Sequence, residues 1–512
     1  MATKYVSNST YGGRPIGDDA NEGSAANPWL TIQKAVETAA SGDTIKINQG
    51  TYNETKYNYL RLIQSGGVTL TLEPWGTGDI VTLDTSHASY AIRADVFGTY
   101  TFKQIDVKTD SPTFLIYCDA DTDYNLTFDN CDFDTLTSTD HYFIYTDTHT
   151  SAPEGSVVFK NNCTFTSNSS AYQAFNLYDV KTFRVVDSTM TRTNVSGSNR
   201  VFLLRGKIGS FDVQRNTIIT DDLVITDCTA LGVADYVEKL RLNKNAITGG
   251  NRLVYIDNED VQMVEIDGNT GSSSYNATKF SIGPDNGPIT RNNECVRISN
   301  NKMTFTGATG HVMLLGTSCY GALIYNNDFE RTVSGDYGIV IKGRHNNVFN
   351  NRIKSGNPIY IAGGRYNTVW NNTAIAISGY AFHWNREVTD GTTAICNEVF
   401  NNVFDGSAGG EYAVYDLTPG GNHGDNRFDY NVLIAGSTDL ARLDGVNYST
   451  IAAMQAKWAT WSEFWPDNDK HSFEGRAVKK MGRPDMYGNQ SHVGAVLPRS
   501  SQYRGRYKIS EG

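Results

Sequence analysis

Five related phrases decide how this chain folds: ALIYNNDF (322–329), NVFNNRI (347–353), TVWNNTA (368–374), EVFNNVF (398–404) and RFDYNVL (427–433). Each runs an alternating apolar segment into one or two asparagines and out into another apolar residue. Looser copies stand at 126–133, 157–165, 211–218, 240–247 and 296–303. The recurring Asn327, Asn351, Asn372, Asn402 and Asn431 are separated by 24, 21, 30 and 29 residues. A repeat of that length, with period-2 strands inside it, is the pattern of a β-solenoid. Coils stacked about 4.8 Å apart pair their strands above and below. An asparagine at the same corner of each coil can pass its amide to the next and tolerates the left-handed backbone of a corner. Hairpin pairs such as Asn-Gly do not recur at regular spacing, which weighs against an antiparallel sandwich.

A second strand family runs in step with the first: TFLIYCD (113–119), HYFIYTD (141–147), RVFLLRG (200–206), YGIVIKG (337–343), YAFHWNR (380–386) and YAVYDLT (412–418) among others. Alternation sends Ile339 and Ile341 inward and Val340 and Lys342 outward. The expected division is an N-terminal cap over 1–43, a parallel β-helix over 44–435 and a C-terminal helical or irregular cap with a basic tail over 436–512. Caps protect the terminal strand edges of an open solenoid. Asn27 is expected to cap a helix with Pro28 at its first position and Gly42 past its end. Ser449 is expected to cap a second helix reaching about Phe464, with Ile451, Met454, Trp458 and Trp461 on one face.

The opening ANPWLTIQKAVETAASGDTIKINQGTYNE (26–54), the coil phrases above and DNDKHSFEG (467–475) together resemble pectate-lyase-like right-handed parallel β-helix proteins. That resemblance implies the fold, an all-β right-handed parallel solenoid with a short capping helix at its start. It implies less about activity, because such folds carry lyases, hydrolases, epimerases, phage tailspikes and adhesins alike.

Composition narrows the partners. No 18-residue apolar run exists, so no helix is expected to span a membrane. The N-terminus MATKYVSNS lacks the apolar core of a secretory signal, so the expected setting is extracellular by another route, or virion-borne beside tail proteins. Seven scattered cysteines without a C-x-x-C pair read as small core hydrophobes. Asp119, Asp121 and Asp123 have the 1-3-5 spacing of a calcium loop, but Tyr124 and Asn130 exclude an EF-hand and leave only a loose Ca²⁺ site. No other cofactor is expected. The basic, tyrosine-rich tail 499–512 suits docking on an acidic neighbour better than nucleic acid. Ile116, Ile144, Leu203 and Leu314, taken as outward apolar residues, suggest a homotrimer.

Charge supplies the functional expectation. The chain carries 44 basic and 55 acidic residues, a net of −11. Yet 337–386 contains no Asp or Glu and holds Lys342, Arg344, Arg352, Lys354, Arg365 and Arg386. Stacking would bring Lys342, Arg344, Arg365 and His383 onto one face as catalytic groups, with Asn385, Arg386, Glu387 and Asp416 binding substrate. Clustered cations neutralise a uronate carboxylate and acidify its C5 proton, and a cation of lowered pKa can take that proton. The expected function is therefore binding, with lyase-type cleavage, of an acidic polysaccharide. The alternatives are a non-catalytic receptor-binding protein and a glycoside hydrolase with carboxylates drawn from Asp257, Asp336, Glu387, Asp390 and Asp416.

Overall fold

The computed structural model describes residues 1–458, apart from 55, 65–66, 85–88, 96, 110–113, 120–122, 136–141, 148–154, 168–172, 193–199, 221, 227–235, 250–251, 257–260, 275–277, 284–294, 335, 386–393 and 417–425, together with Thr460 and Phe473–Glu474. Its strands wind into a right-handed parallel β-solenoid. Each coil in the C-terminal half carries three short runs, as in Tyr337–Ile341, Asn347–Phe349 and Arg352–Ser355. The first two runs belong to one 30-stranded sheet that bends through a corner. The third belongs to a separate 16-stranded sheet. Pairing between coils is parallel throughout the described ladder, and the one antiparallel pair joins Ala441–Leu443 to Val446–Tyr448 at its end.

Alternation along each run builds the core. Met313, Ile339, Ile359, Phe382, Val414 and Ala441 are successive register partners, and all face inward. In the N-terminal half the interior is aromatic instead. Phe102, Phe128 and Phe159 stack with centroids 5.0 Å apart, one ring per coil. Offset stacking of this kind adds about 0.5–1.5 kcal/mol per pair to the burial of the rings.

The corner between the second and third runs is tied by the expected asparagine ladder. Nδ2 of Asn216, Asn245, Asn269, Asn301, Asn327, Asn351, Asn372 and Asn402 each donates to Oδ1 of the next, ending at Asn431, over 2.9–3.0 Å. The residue before each ladder member takes the left-handed turn, for example Asn350 at φ 55° and Asn371 at φ 54°. In earlier coils the ladder slot holds Cys131, Cys163 and Ser188. The two thiols bond backbone carbonyls, and Ser188 N donates to Asn216 Oδ1.

Several expectations are corrected. The first helix is Ile32–Thr38, capped by Thr31, whose hydroxyl accepts from Lys34 N. Asn27 does not cap it, because Trp29 bridges Val6 in extended conformation and the chain turns helical only afterwards. The second helix, Ile451–Trp458, begins at Thr450, which accepts from Ala453 N, rather than at Ser449. Trp461 and Phe464 lie outside the described residues, as does the tail 499–512. Ile116 and Ile144 face the core in register with Ile92. Leu203 and Leu314 are buried within the chain itself, so these four residues leave no apolar column for a trimer to cover. Of the cysteines, Cys118, Cys131, Cys163 and Cys319 are buried, Cys295 is exposed, and Cys396 is half-buried. Cys228 lies outside the described residues. Among the described residues no helix is long and apolar enough to cross a membrane.

Candidate functional site at a basic, aromatic corner

Winding separates the basic residues that looked like one cluster. Arg352 and Lys354 stand on the 16-stranded sheet, where Asp328 and Glu330 of the preceding coil pair with them, each at 2.8 Å. Those carboxylates lie just outside the acid-free stretch in sequence but directly beneath it in space.

Arg344 and Arg365 occupy a different place, the corner between the first and second runs. They are bridge partners of one another, and Tyr320 precedes them in the same column. Neither guanidinium has a carboxylate partner among the described residues, and Arg365 Nε is buried without a hydrogen-bond partner. A backbone this tight needs glycine at Gly343, since a Cβ there would collide with the Cys319 carbonyl.

The next position along the corner is left-handed in four successive coils, at Gly321, His345, Tyr366 and Cys396, with φ between 54° and 72°. A bulky side chain there costs about 1–2 kcal/mol relative to glycine. The equivalent slot of the other corner holds asparagine repeatedly. Here the strained slot instead carries rings outward. His345 stacks on Tyr366 at 5.0 Å and 7°, and meets Tyr320 at 4.9 Å with the planes tilted by 57°. Tyr320 is 39% exposed and Tyr366 46%. Burial and the neighbouring Arg344 charge lower the His345 pKa below its ordinary 6.5, which keeps the imidazole neutral near pH 7.

A second asparagine ladder lies beneath this corner. Asn346 N donates to Asn367 Oδ1, and Asn367 and Asn397 pass their amides to Asn397 and Asn426 at 3.0 Å. It fixes the corner backbone and so the directions of Arg344, His345, Arg365 and Tyr366.

The other expected site residues lie elsewhere. Lys342 is half-buried, one position past the strand Tyr337–Ile341. His383 stands on the flat outer face of the first run, in a column with Val340, Tyr360 and Tyr415. Its ring stacks on Tyr360 at 4.3 Å and meets the edges of Tyr380 and Tyr415. It is 3% exposed, neither nitrogen has a partner, and burial drives its pKa down to about 3. It is a neutral, enclosed ring, not a cation at the corner. Val340, although outward, is covered with Leu314 and Ala362 in a small outer apolar cluster. Asn385 Nδ2 donates to the Tyr360 hydroxyl at 3.1 Å. Asp416 is buried at the end of Tyr412–Asp416. Arg386, Glu387, Asp390 and Asp257 fall outside the described residues. Asp336 is 3.7 Å from Arg331.

Among the described residues no group of His, Cys, Asp and Glu is arranged to hold a metal ion. Asp119 accepts from Arg93 at 2.6 Å, and Asp121 lies outside the described residues.

Fold and corner together define the chain as a parallel β-solenoid whose outer surface carries stacked rings and arginines. A family model described as a protein of unknown function (DUF1565) matches residues 15–90. No curated protein matches the sequence. Among solved structures, the lacto-N-biosidase of family GH136 from Eubacterium ramulus is similar at 10% identity and a TM-score of 0.29, covering 93% of this chain and 68% of that one. The A-module of mannuronan C-5 epimerase AlgE6 from Azotobacter vinelandii is similar at 12% identity and 0.29, covering 88% and 96%. A third is XylC in complex with xylose, at 11% identity and 0.23, covering 80% and 76%. These three do not single out pectate lyases or tailspikes.

Proposed function

We propose that this protein binds an acidic polysaccharide at the Arg344–Arg365 corner and cleaves it by β-elimination. One observation carries the reading: two guanidiniums without carboxylate partners among the described residues sit in register beside rings held outward in left-handed slots that glycine or asparagine would fill at lower cost. Backbone strain of this kind is retained where the side chain has work at the surface.

The chemistry follows from the arrangement. A uronate carboxylate placed against Arg344 and Arg365 finds donors in fork geometry, and its neutralisation acidifies the C5 proton. His345, neutral near pH 7, takes that proton. The C5 electron pair forms the C4–C5 double bond as the C4–oxygen bond breaks. The departing oxygen then takes a proton from water. Tyr320 and Tyr366 offer flat faces to the sugar's C–H groups. His383 takes no part as acid or base in this scheme, because its nitrogens are enclosed.

Incubation with a panel of uronate polymers, including alginate, pectate and glucuronate-containing capsules, tests the reading. Ultraviolet absorbance of the conjugated product is expected for the wild type and should be lost in His345→Ala and Arg365→Ala. Neither absorbance nor retention of any of these polymers would contradict it. Retention without absorbance would leave recognition standing and remove the elimination step.

A further inference from the structure

The flat outer face of the N-terminal coils carries a second set of rings, far along the solenoid from the corner. Tyr90, Phe114 and Tyr142 are successive register partners, with centroids 5.9 and 5.3 Å apart and near-parallel planes. Three residues further along the same strands, Arg93, Tyr117 and Tyr145 form a parallel column. The ring centroids of Tyr117 and Tyr145 lie 5.8 Å apart, with the planes at only 6°. All five rings are half-exposed.

The polar groups among them are already paired. Arg93 bonds Asp95 and Asp119, and Arg61 bonds Asp95 as well. Arg93 also lies 5.4 Å from the Tyr90 and Tyr117 rings. The Tyr117 hydroxyl donates to Asp147 at 2.8 Å. Burial and Asp147 raise the Tyr117 pKa, so the hydroxyl keeps its proton. The face therefore presents flat apolar ring surfaces edged by two guanidiniums and three carboxylates, with no excess of positive charge among these groups.

We infer that this face is a binding strip for a neutral polysaccharide, running along the solenoid axis with sugar rings laid over Tyr90, Phe114, Tyr117, Tyr142 and Tyr145. The match is one of chemistry. Pyranose rings offer C–H faces to aromatic planes and hydroxyls to paired guanidinium and carboxylate groups. An acidic polymer would meet Asp95, Asp119 and Asp147, and among the described residues the guanidiniums beside them, Arg61 and Arg93, are already paired. A peptide strand finds no open edge, because the backbone of this face is paired with coils on both sides. A second copy of the chain would set the same carboxylates against each other. The inference does not rest on the corner chemistry, since the two surfaces share no residue.

Affinity electrophoresis of the full chain in gels containing neutral glycans (glucans, xylan, mannan, galactan) tests it. Wild-type protein should be retarded by at least one. Tyr117→Ala/Tyr145→Ala should weaken retention about tenfold or more, as loss of aromatic anchors does at interfaces. Tyr117→Phe keeps the ring and should retain most of the binding, which separates recognition from misfolding. Arg344→Ala/Arg365→Ala should bind the neutral glycan as the wild type does. Absence of retardation by every neutral glycan would overturn the inference. So would concentration-dependent self-association that disappears in Tyr117→Ala/Tyr145→Ala, since it would assign the face to a second copy.

Discussion

The two halves of this solenoid hold the same shape by different means and present different chemistry. In the N-terminal coils the interior is a pile of phenylalanine rings, the asparagine slot is filled by Cys131, Cys163 and Ser188, and outward arginines meet carboxylates. In the C-terminal coils aliphatic side chains share the interior with Phe382, Phe404 and Phe428, two asparagine ladders tie the corners, and Arg344 and Arg365 have no carboxylate partner among the described residues. The winding is common to both. Stability comes from whichever inward groups repeat, and that leaves the outward groups free to differ.

The largest expected effects compare the two kinds of internal tie. Phe159→Ala should cost about 3–5 kcal/mol, as buried aromatic truncation does. Asn372→Ala should cost about 2–4 kcal/mol, because it removes the acceptor of the Asn351 backbone N–H and side-chain amide and the donor to the Val348 carbonyl in the interior. Denaturant midpoints measure both. An Asn372→Ala variant as stable as the wild type would show that the ladder decorates the corner and does not hold it.

The pH response should separate the ends. Glu54 is buried beneath the first helix, where it accepts from Ile32 N and Gln33 N. Burial outweighs those bonds and raises its pKa from 4.5 to about 7. A carboxyl raised on folding contributes stability fully below its unfolded pKa and loses it as pH rises through the folded value. Stability of the N-terminal end should therefore fall between about pH 4.5 and 7, by up to about 3 kcal/mol. Thermal melts across that range should show the slope in the wild type and a flat profile in Glu54→Gln. A slope of the opposite sign would mean that the helix N–H groups win over burial.

Arginine truncation sharpens the contrast in compensation. Arg93→Ala removes one guanidinium from Asp95, which Arg61 still bonds, and one from Asp119, and should cost about 1–2 kcal/mol, between the values for exposed and buried pairs. Arg365→Ala removes no ion pair and should change stability by less than about 0.5 kcal/mol. The smallest effect is expected at the strained slot. Tyr366→Asn loses the stack on His345 but relieves the left-handed backbone, so its stability should stay level or rise by up to about 1 kcal/mol. A clear loss of stability there would show that Tyr366 is kept for packing.

The fold was legible because the Asn phrases combine two independent demands, a left-handed turn and a buried amide, at one recurring position. The second ladder was equally present: Asn346, Asn367, Asn397 and Asn426 repeat the 21, 30 and 29 spacings of Asn351, Asn372, Asn402 and Asn431. It went unread because rings and cysteine, not asparagine, precede its members. Half of the basic cluster was misleading for a geometric reason. Acids one coil earlier, Asp328 and Glu330, stand 24 residues before Arg352 and Lys354 in sequence and beside them in space. His345 was overlooked for the same reason as the second ladder, since nothing in GRHNN marks the histidine as the left-handed residue. His383 looked like a candidate acid or base because sequence alone cannot show that its strand faces a tyrosine-lined surface. The helix starts were misplaced by a few residues because proline at position 28 and serine at 449 signal starts that local pairing overrides.

Arg344 and Arg365, neighbours with no carboxylate partner among the described residues, are the groups proposed to recognise an anionic chain. Titration of a soluble polyuronate, at low and at physiological salt, into wild type and Arg344→Ala/Arg365→Ala measures this directly. The wild type should bind, more weakly as salt rises, and the variant should bind about tenfold or more weakly with its melting temperature unchanged. Equal polyuronate affinity in the two proteins would contradict the account.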